Sequence, residues 1–460
     1  MKLHFLGGTG TVTGSRYLLR ASSRSVLVDC GLFQGYKQLR LRNWAAPPFD
    51  PKSLDAVVLT HAHIDHSGYI PALVKRGFRG PIYCSPGTQE LCKILLPDSA
   101  HLQEEEARYA NRHSFSKHKP ALPLYTREDA EAALRQFRPL EMGRPHTLAN
   151  QFRCELRPTG HLLGACSVKL EAGNIAVTLS GDVGRPDDPL MKAPEPLAET
   201  DYLILESTYG DRSHPRVDPE AELGEWLARA LGRGGTVIMP TFAVGRTQTV
   251  LLHIKRLKEK RAIADVPVYI DSPMAIDATV LYYTFRHEHR LSDAETVQMC
   301  RGAKIVTSPE ESKALDLITG PAIILSASGM ATGGRVIHHL KAFLGDARNL
   351  ILFGGYQSPG TRGGALVRGA DSVRIHGQDF AVKAEIAQLE ASSSHADANE
   401  LITWIRALPR PPRQTFITHG EPSASDALRF RIEHELGWPV TVPDYRDIFD
   451  LATGELRDEA

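Results

Sequence analysis

Cysteine is scarce and unpatterned in this chain: 460 residues hold six, Cys30, Cys84, Cys92, Cys154, Cys166 and Cys300, with no two at CxxC spacing. That argues against a thiolate zinc site or a disulfide framework and fits buried, reduced thiols. Long apolar runs are also missing, since none approaches the roughly 18 residues of a membrane span. The opening MKLHFLGGTG reaches glycine before a signal-peptide core could form. The expected address is therefore the cytoplasm, with no membrane partner. Neither sign of charge is in excess, Lys plus Arg and Asp plus Glu numbering 54 each. No global basic field announces a polyanionic partner, so any nucleic-acid contact has to come from a local cluster. What is present is an ordinary globular composition, 42% hydrophobic and 23% charged, in a chain longer than one core usually organises. Two domains are expected.

Residues 1 to about 60 read as short strands, KLHFLGG, SRYLLRA and SVLVDCG, separated by Gly and Ser turns and followed by AVVLTHAH. GGTGTVTGS lacks GxGxxG spacing and is followed by strand-like residues where a phosphate-binding helix would start, so it reads as a glycine-rich hairpin loop. A helix in SGYIPALVKRG, a strand in PIYCSP and a polar helical tract, DSAHLQEEEARYANRHSFSKH, come next. His101, His113 and His118 lie there among charges at no ligand spacing and read as surface residues. Strands return in FRCELRPTGHLLGACSVKLEAGNIAVTLSGDVG and DYLILESTYGD. Alternating helices and strands then run from PEAELGEWLARALGRG to NLILFGGYQ, the pattern of a parallel sheet with crossover helices. Short strands around AEIAQLEASSSHAD and RQTFITHGE close the chain. This β-rich, α/β, β-rich order is met most simply by a second domain inserted into the first.

The chemistry is concentrated in AVVLTHAHIDHSGYIP, where His61, His63, Asp65 and His66 put four potential ligands into six positions. His61 and His63, two apart after an extended run, point to one side, and Asp65 and His66 follow on a turn that can aim them at a second point. Imidazole and carboxylate without thiolate suit an open zinc site, and four ligands on one short loop point to two metals. PTGHLLGACS and LSGDVG each set one further ligand, His161 and Asp182, at a strand end beside glycine.

THAHIDHSG, with His161 and Asp182 at long spacing and Asp29 in VLVDCG, resembles the metallo-β-lactamase superfamily, an αββα sandwich with a di-metal edge. LILESTYGD, PTFAVGRTQ, SASGMATGGRVIHHL, GYQSPGTRG, SSSHAD and ITHGE are similar, in order, to the motifs of its β-CASP nuclease branch. That branch includes the eukaryotic RNA 3′-end-processing endonuclease and bacterial RNase J. The resemblance implies an α/β fold with residues 1–208 and 376–460 forming the sandwich and residues 209–375 an inserted parallel-sheet β-CASP domain. It implies that His61, His63 and His161 hold one zinc, that Asp65, His66 and His419 hold another, that Asp182 bridges them, and that Asp29 supports the ligand loop from behind. Manganese is compatible with the same ligands. Two cations lower the pKa of a shared water and offset phosphate charge. Asp65 and Asp182 would thereby join His395 and Glu206 as the residues closest to the chemistry, with His395 as proton donor or charge stabiliser and Glu206 orienting it.

Histidine at 419 is the residue found in RNA-cleaving members, where DNA-repair members tend to carry an aliphatic one, so single-stranded RNA is the expected substrate. Arg246, at a strand-to-helix junction, and Ser326 and Ser328, in a glycine-rich loop before a helix, are expected to bind RNA phosphates along a short track between the domains. Neither an extra C-terminal domain nor N-terminal KH-type modules are read from the sequence, which favours endonucleolytic cutting and leaves 5′-to-3′ exonucleolytic action open. Oligomeric state is left open too, a homodimer being one compatible assembly. A small-molecule metallohydrolase would need the metal loop but not His395 and His419, and a non-catalytic RNA-binding subunit would be expected to have lost ligands; none is missing here.

Overall fold

The computed structural model describes residues 1–114, 116–242, 244–272, 274–298 and 302–457, so that Cys300 lies outside them. The chain divides into two compact units, Met1–Ser213 with His395–Ala460, and His214–Ser394.

In the first unit, short apolar strands, most of them buried along nearly their whole length, build two sheets. One runs, in spatial order, Glu455–Arg457, Ile448–Asp450, Lys2–Phe5, Tyr17–Ala21, Arg24–Val28, Ala56–Val58, Ile82–Cys84 and Phe137–Pro139. The other runs Val440–Thr441, Gln414–Thr418, Tyr202–Glu206, Ile175–Leu179, Cys166–Ala172, Phe152–Pro158 and Pro145–Leu148. Phe5, Leu19 and Val28 of the first meet Leu156, Val168, Ile204 and Phe416 of the second in one core. The outer face of the second sheet, Leu203, Leu205 and Ile417, is covered by Leu401, Ile405, Leu428 and Ile432 from the helices Ala398–Arg406 and Pro422–Leu436. This is the expected sandwich. Both chain ends build it: Gln414–Thr418 lies parallel to Tyr202–Glu206, and Ile448–Asp450 pairs antiparallel with Lys2–Phe5.

The second unit carries six parallel strands in the order Ala303–Ile305, Val268–Asp271, Ala322–Ser326, Thr236–Pro240, Leu350–Phe353 and Glu385–Gln388. Central strands such as AIILS and LILF are buried along their whole length, as a sheet covered on both faces requires. The expected end of the insertion at residue 375 differs from this division. A hairpin, Ser372–Ile375 with Gln378–Ala381, extends past it, and Glu385–Gln388 then adds beside Leu350–Phe353, so the second unit closes at Ser394. The tract expected as a helix from Asp98 also begins earlier, the helix running Pro86–Arg112 with Pro97 inside it. Among the described residues no helix is long and apolar enough to cross a membrane.

Candidate metal centre

Parallel strands deliver the site. In one sheet Arg24–Val28 and Ala56–Val58 run side by side, and Asp29 and His61 follow their C-terminal ends. In the other, Ile175–Leu179, Tyr202–Glu206 and Gln414–Thr418 are neighbours in register, and their C-terminal ends carry Asp182, Glu206 and His419. His161 enters from the loop between Phe152–Pro158 and Cys166–Ala172, where the Thr159 hydroxyl donates to the Asp182 carbonyl at 2.8 Å. Residues 182, 206 and 419 thus converge because adjacent strands end together.

The ligand loop is held from behind. The chain leaves its strand after Val58, His61 to His63 form a connection, and Asp65 and His66 sit on the single helical turn Ile64–Ser67. Asp29, 1% exposed and in the left-handed region at φ 58°, accepts the Thr60 backbone N–H at 2.8 Å and the Thr60 hydroxyl at 2.9 Å, with His66 Nδ1 at 2.8 Å. Its successors lie across the loop, Cys30 N–H donating to the His66 carbonyl at 2.7 Å and Leu32 N–H to the Ile64 carbonyl at 2.9 Å. Gly31 is required there, because a Cβ would come within 1.5 Å of the Asp65 carbonyl oxygen.

The potential ligand atoms form two groups, His61, His63, His161 and Asp182 in one and Asp65, His66 and His419 in the other, the atoms within each lying within 4.8 Å of one another. In the first, His63 Nδ1 is 3.1 Å from His61 Nε2 and 3.2 Å from His161 Nε2, while Asp182 Oδ2 lies 3.4 and 3.5 Å from the same two Nε2 atoms. In the second, His66 Nε2 is 3.1 Å from His419 Nε2 and 3.1 Å from Asp182 Oδ1, and His419 Nε2 is 3.5 Å from Asp65 Oδ2. Ligands bonded at 2.0–2.1 Å around a tetrahedral zinc stand about 3.3 Å apart, the separation that both groups display. Asp182 carries the fit further: both its oxygens are buried, and neither makes a well-directed hydrogen bond among the described residues. A carboxylate in that state is costly unless a cation joins it.

Titration behaviour agrees. Desolvation pushes His61 down to about 3 and the less enclosed His63 to about 4, and it holds His161 well below the ordinary imidazole value. These three are therefore neutral, the form that ligates metal. Burial opposes charge on His66 as well, but Asp182 and Asp29 outweigh it and raise its pKa well above the usual value.

His395 lies beside this cluster. An isolated bridge between Gly184 and His395 sets it next to the Asp182 turn, its Nε2 3.9 Å from Asp182 Oδ2. Its Nδ1 is 3.1 Å from both Glu206 oxygens, and Glu206 also accepts the Val183 N–H at 2.6 Å. Glu206, His419 and Asp182 form a third potential ligand group, but these bonds already engage the glutamate. Burial works against a charge on His395; Glu206 and Asp182 overcome it and raise the pKa to about 9. Bound cations would pull it back down.

Arg246, Ser326 and Ser328 belong to the second unit, at the C-terminal end of its sheet. Arg246 opens the helix Arg246–Glu259 with its side chain along Gly354 and Gly355. Ser328 Oγ accepts the Thr332 N–H at 3.1 Å and organises the glycine loop. Ser326 differs from expectation, being 1% exposed with its hydroxyl turned 3.4 Å from the Asp271 carbonyl, because it is the last residue of a buried strand. Sequence reasoning missed three contributors. Thr60 Oγ1 lies 3.0 Å from His61 Nδ1, Thr208 Oγ1 lies 3.1 Å from His419 Nδ1, and the Gly8 carbonyl accepts the His419 N–H. Thr208 stands two residues after Glu206 in ESTYGD, which was the available signal.

Comparison with known proteins matches the metallo-beta-lactamase superfamily over residues 9–223, the Beta-Casp domain over 247–366 and the Zn-dependent metallo-hydrolase RNA specificity domain over 379–443. Ribonuclease TTHA0252 of Thermus thermophilus is 35% identical over 93% of this chain and 95% of its own. Transcription termination factors FttA of Lokiarchaeum sp. and Thermococcus kodakarensis are 30% and 31% identical, over 95% and 97% of this chain and 69% and 70% of theirs. A crystal structure of a protein of unknown function from Enterococcus faecalis V583 shares the fold, with TM-score 0.50 at 14% identity over 97% of this chain and 99% of that one. The chain belongs to the β-CASP ribonuclease family of the metallo-β-lactamase superfamily.

Proposed function

We propose that this protein is a di-zinc ribonuclease that hydrolyses phosphodiester bonds of single-stranded RNA, cutting endonucleolytically in RNA processing or decay. One observation carries the metal count: Asp182 turns Oδ2 towards His61 and His161 and Oδ1 towards His66, at 3.1 to 3.5 Å, and neither oxygen makes a well-directed hydrogen bond among the described residues. A carboxylate so divided suits two cations. His61, His63 and His161 would hold one and Asp65, His66 and His419 the other, with manganese an acceptable substitute. When bound, such ions supply positive charge against the phosphate and a water acidic enough to act near neutral pH.

The chain's own groups supply the rest. Glu206 fixes the His395 ring through Nδ1, which leaves Nε2 as the atom that delivers a proton to the leaving oxygen. Asp29 and Thr60 keep His66 and His61 in their ligating orientations. Arg246 and the Ser328 loop are assigned to phosphate contacts, and Ser326 to supporting that strand end. RNA as substrate is supported by the RNA-specificity domain match and by the relative named a ribonuclease. We assign the activity to the cytoplasm, because the five described cysteines are buried and form no disulfide among the described residues.

The test is cleavage of a labelled single-stranded RNA alongside metal analysis, for wild type and Asp65→Ala. Wild type should hold two ions and cut, and Asp65→Ala should hold one and lose nearly all cleavage. Unchanged turnover with one ion per chain would reject the assignment.

A further inference from the structure

We propose that the outward face of the helix Lys37–Trp44 is an accessory contact surface for the substrate strand, where bases of single-stranded RNA stack on Tyr36 and Trp44 and its phosphates pair with Lys37 and Arg40. The inference rests on the RNA reading above and adds a surface to it.

Residues 31–49 contain Lys37, Arg40 and Arg42 and no acidic residue, in a chain whose opposite charges balance at 54 each. This is a local basic cluster of the kind a neutral protein needs in order to hold a polyanion. Lys37, Arg40, Leu41 and Trp44 are spaced i, i+3, i+4 and i+7, so they share one helix face, with Tyr36 preceding the first turn. That face is turned to solvent: Tyr36, Leu41 and Trp44 are 53%, 54% and 54% exposed. The usual distribution is inverted, since the residue this helix buries is polar. Asn43 Oδ1 accepts the Phe33 N–H at 3.0 Å and its Nδ2 donates to the Phe33 carbonyl at 2.8 Å. Packing accounts for Asn43 and leaves the aromatic, basic face without a structural role.

Two further observations select the ligand. Lys37 and Arg40 form no ion pair among the described residues, while Arg76 donates to the Trp44 carbonyl at 3.2 Å and adds positive charge at the helix end. A second copy of this chain would present the same positive face, so self-pairing here would oppose like charges. Alternating aromatic and basic groups match a single strand, whose bases stack and whose phosphates are anionic. The position is apt as well: Asn43 fastens the helix to Phe33, and the segment leading to Phe33 lies across the ligand loop through the Cys30 bond to the His66 carbonyl.

The test measures binding of a fluorescein-labelled 15-nucleotide oligouridine to the metal-loaded full chain in a His395→Ala background, with thermal melts on every variant. Tyr36→Ala with Trp44→Ala should weaken binding tenfold or more, while Trp44→Phe, which keeps a stacking ring, should bind within about twofold of the parent. Lys37→Ala with Arg40→Ala should reduce the slope of log Kd against log salt by about 1.4, at about 0.7 for each phosphate contact on a single strand. Parental affinity in the double aromatic variant, or equal losses for Trp44→Phe and Trp44→Ala, would overturn the inference. So would variants that alter self-association in sedimentation but not RNA affinity, which would identify a protein contact. If wild type cuts RNA and the helix variants bind as the parent does, this inference alone fails; if wild type neither binds nor cuts RNA, the substrate reading fails and takes it along.

Discussion

Asp29→Asn is the most informative single change to the support of the metal loop. The two carboxylate oxygens take three donors: the Thr60 N–H at 2.8 Å, the Thr60 hydroxyl at 2.9 Å and His66 Nδ1 at 2.8 Å. The pair with His66 keeps the ring proton on Nδ1 and so leaves Nε2, which faces Asp182 and His419, to bind metal. An amide has one accepting side. If its oxygen serves Thr60, its NH2 meets Nδ1 and drives the proton to Nε2; if it serves His66, the buried Thr60 N–H loses its acceptor. Asn tolerates the left-handed φ of 58° at this position, so backbone strain does not confound the comparison. Loss of such a supporting bond costs a metal site about 10- to 100-fold in affinity, or about 1.4 to 2.7 kcal/mol. Competition titration against a chelator, with zinc counted by mass spectrometry, should show that loss at the site of Asp65, His66 and His419, and a smaller one at the site of His61, His63 and His161. Wild-type affinity at both sites would refute the reasoning.

His395→Ala should keep both ions and RNA affinity while slowing single-turnover cleavage about 100-fold or more; loss of zinc or of folding would mean that the residue is structural. Gly14→Ala tests the loop behind His419. Its Cβ would come within 2.4 Å of the Phe33 ring at a φ of 74°, so urea unfolding should record a loss of about 2 to 4 kcal/mol, from left-handed strain plus overpacking, and an unchanged midpoint would contradict it. In the second unit the buried His339 ring contacts two carboxylates, Asp271 at 2.8 Å through Nε2 and Asp316 at 2.7 Å through Nδ1. Burial works against its charge, but these partners raise its pKa above 6.5. A raised folded-state pKa gives stability that is complete below the ordinary value and is lost as pH rises through the folded one. Melting temperature should therefore fall across that window in wild type more than in His339→Gln, and parallel profiles would refute the link.

Much of the candidate site was legible in the sequence because its potential ligands are locally dense. His61, His63, Asp65 and His66 occupy six positions, and each remaining candidate ligand follows a strand end with glycine nearby. Supporting groups were less visible, since Thr60 and Thr208 look like ordinary strand-end hydroxyls and the Gly8 carbonyl that holds His419 is backbone, with no side-chain signature. Ser326 looked like a phosphate ligand because it precedes a glycine loop, yet it ends a strand buried at all five positions. Two extents differ from those read in the sequence. The strand Glu385–Gln388 joins the second sheet by pairing with residues more than thirty positions earlier, which no local pattern reports. Pro97 interrupts a helical pattern at a cost of about 3 kcal/mol; the helix continues because Ser85 caps it, Pro86 fits its first turn, and Leu91, Cys92, Leu96 and Ala100 are buried on either side of the proline.

Anomalous scattering from zinc-soaked crystals would show whether two divalent cations share Asp182. Two peaks are predicted, one among His61, His63, His161 and Asp182, and the other among Asp65, His66, His419 and the opposite Asp182 oxygen. A single peak, or density that leaves His419 or Asp182 without a metal bond, would rule out a carboxylate shared by two ions.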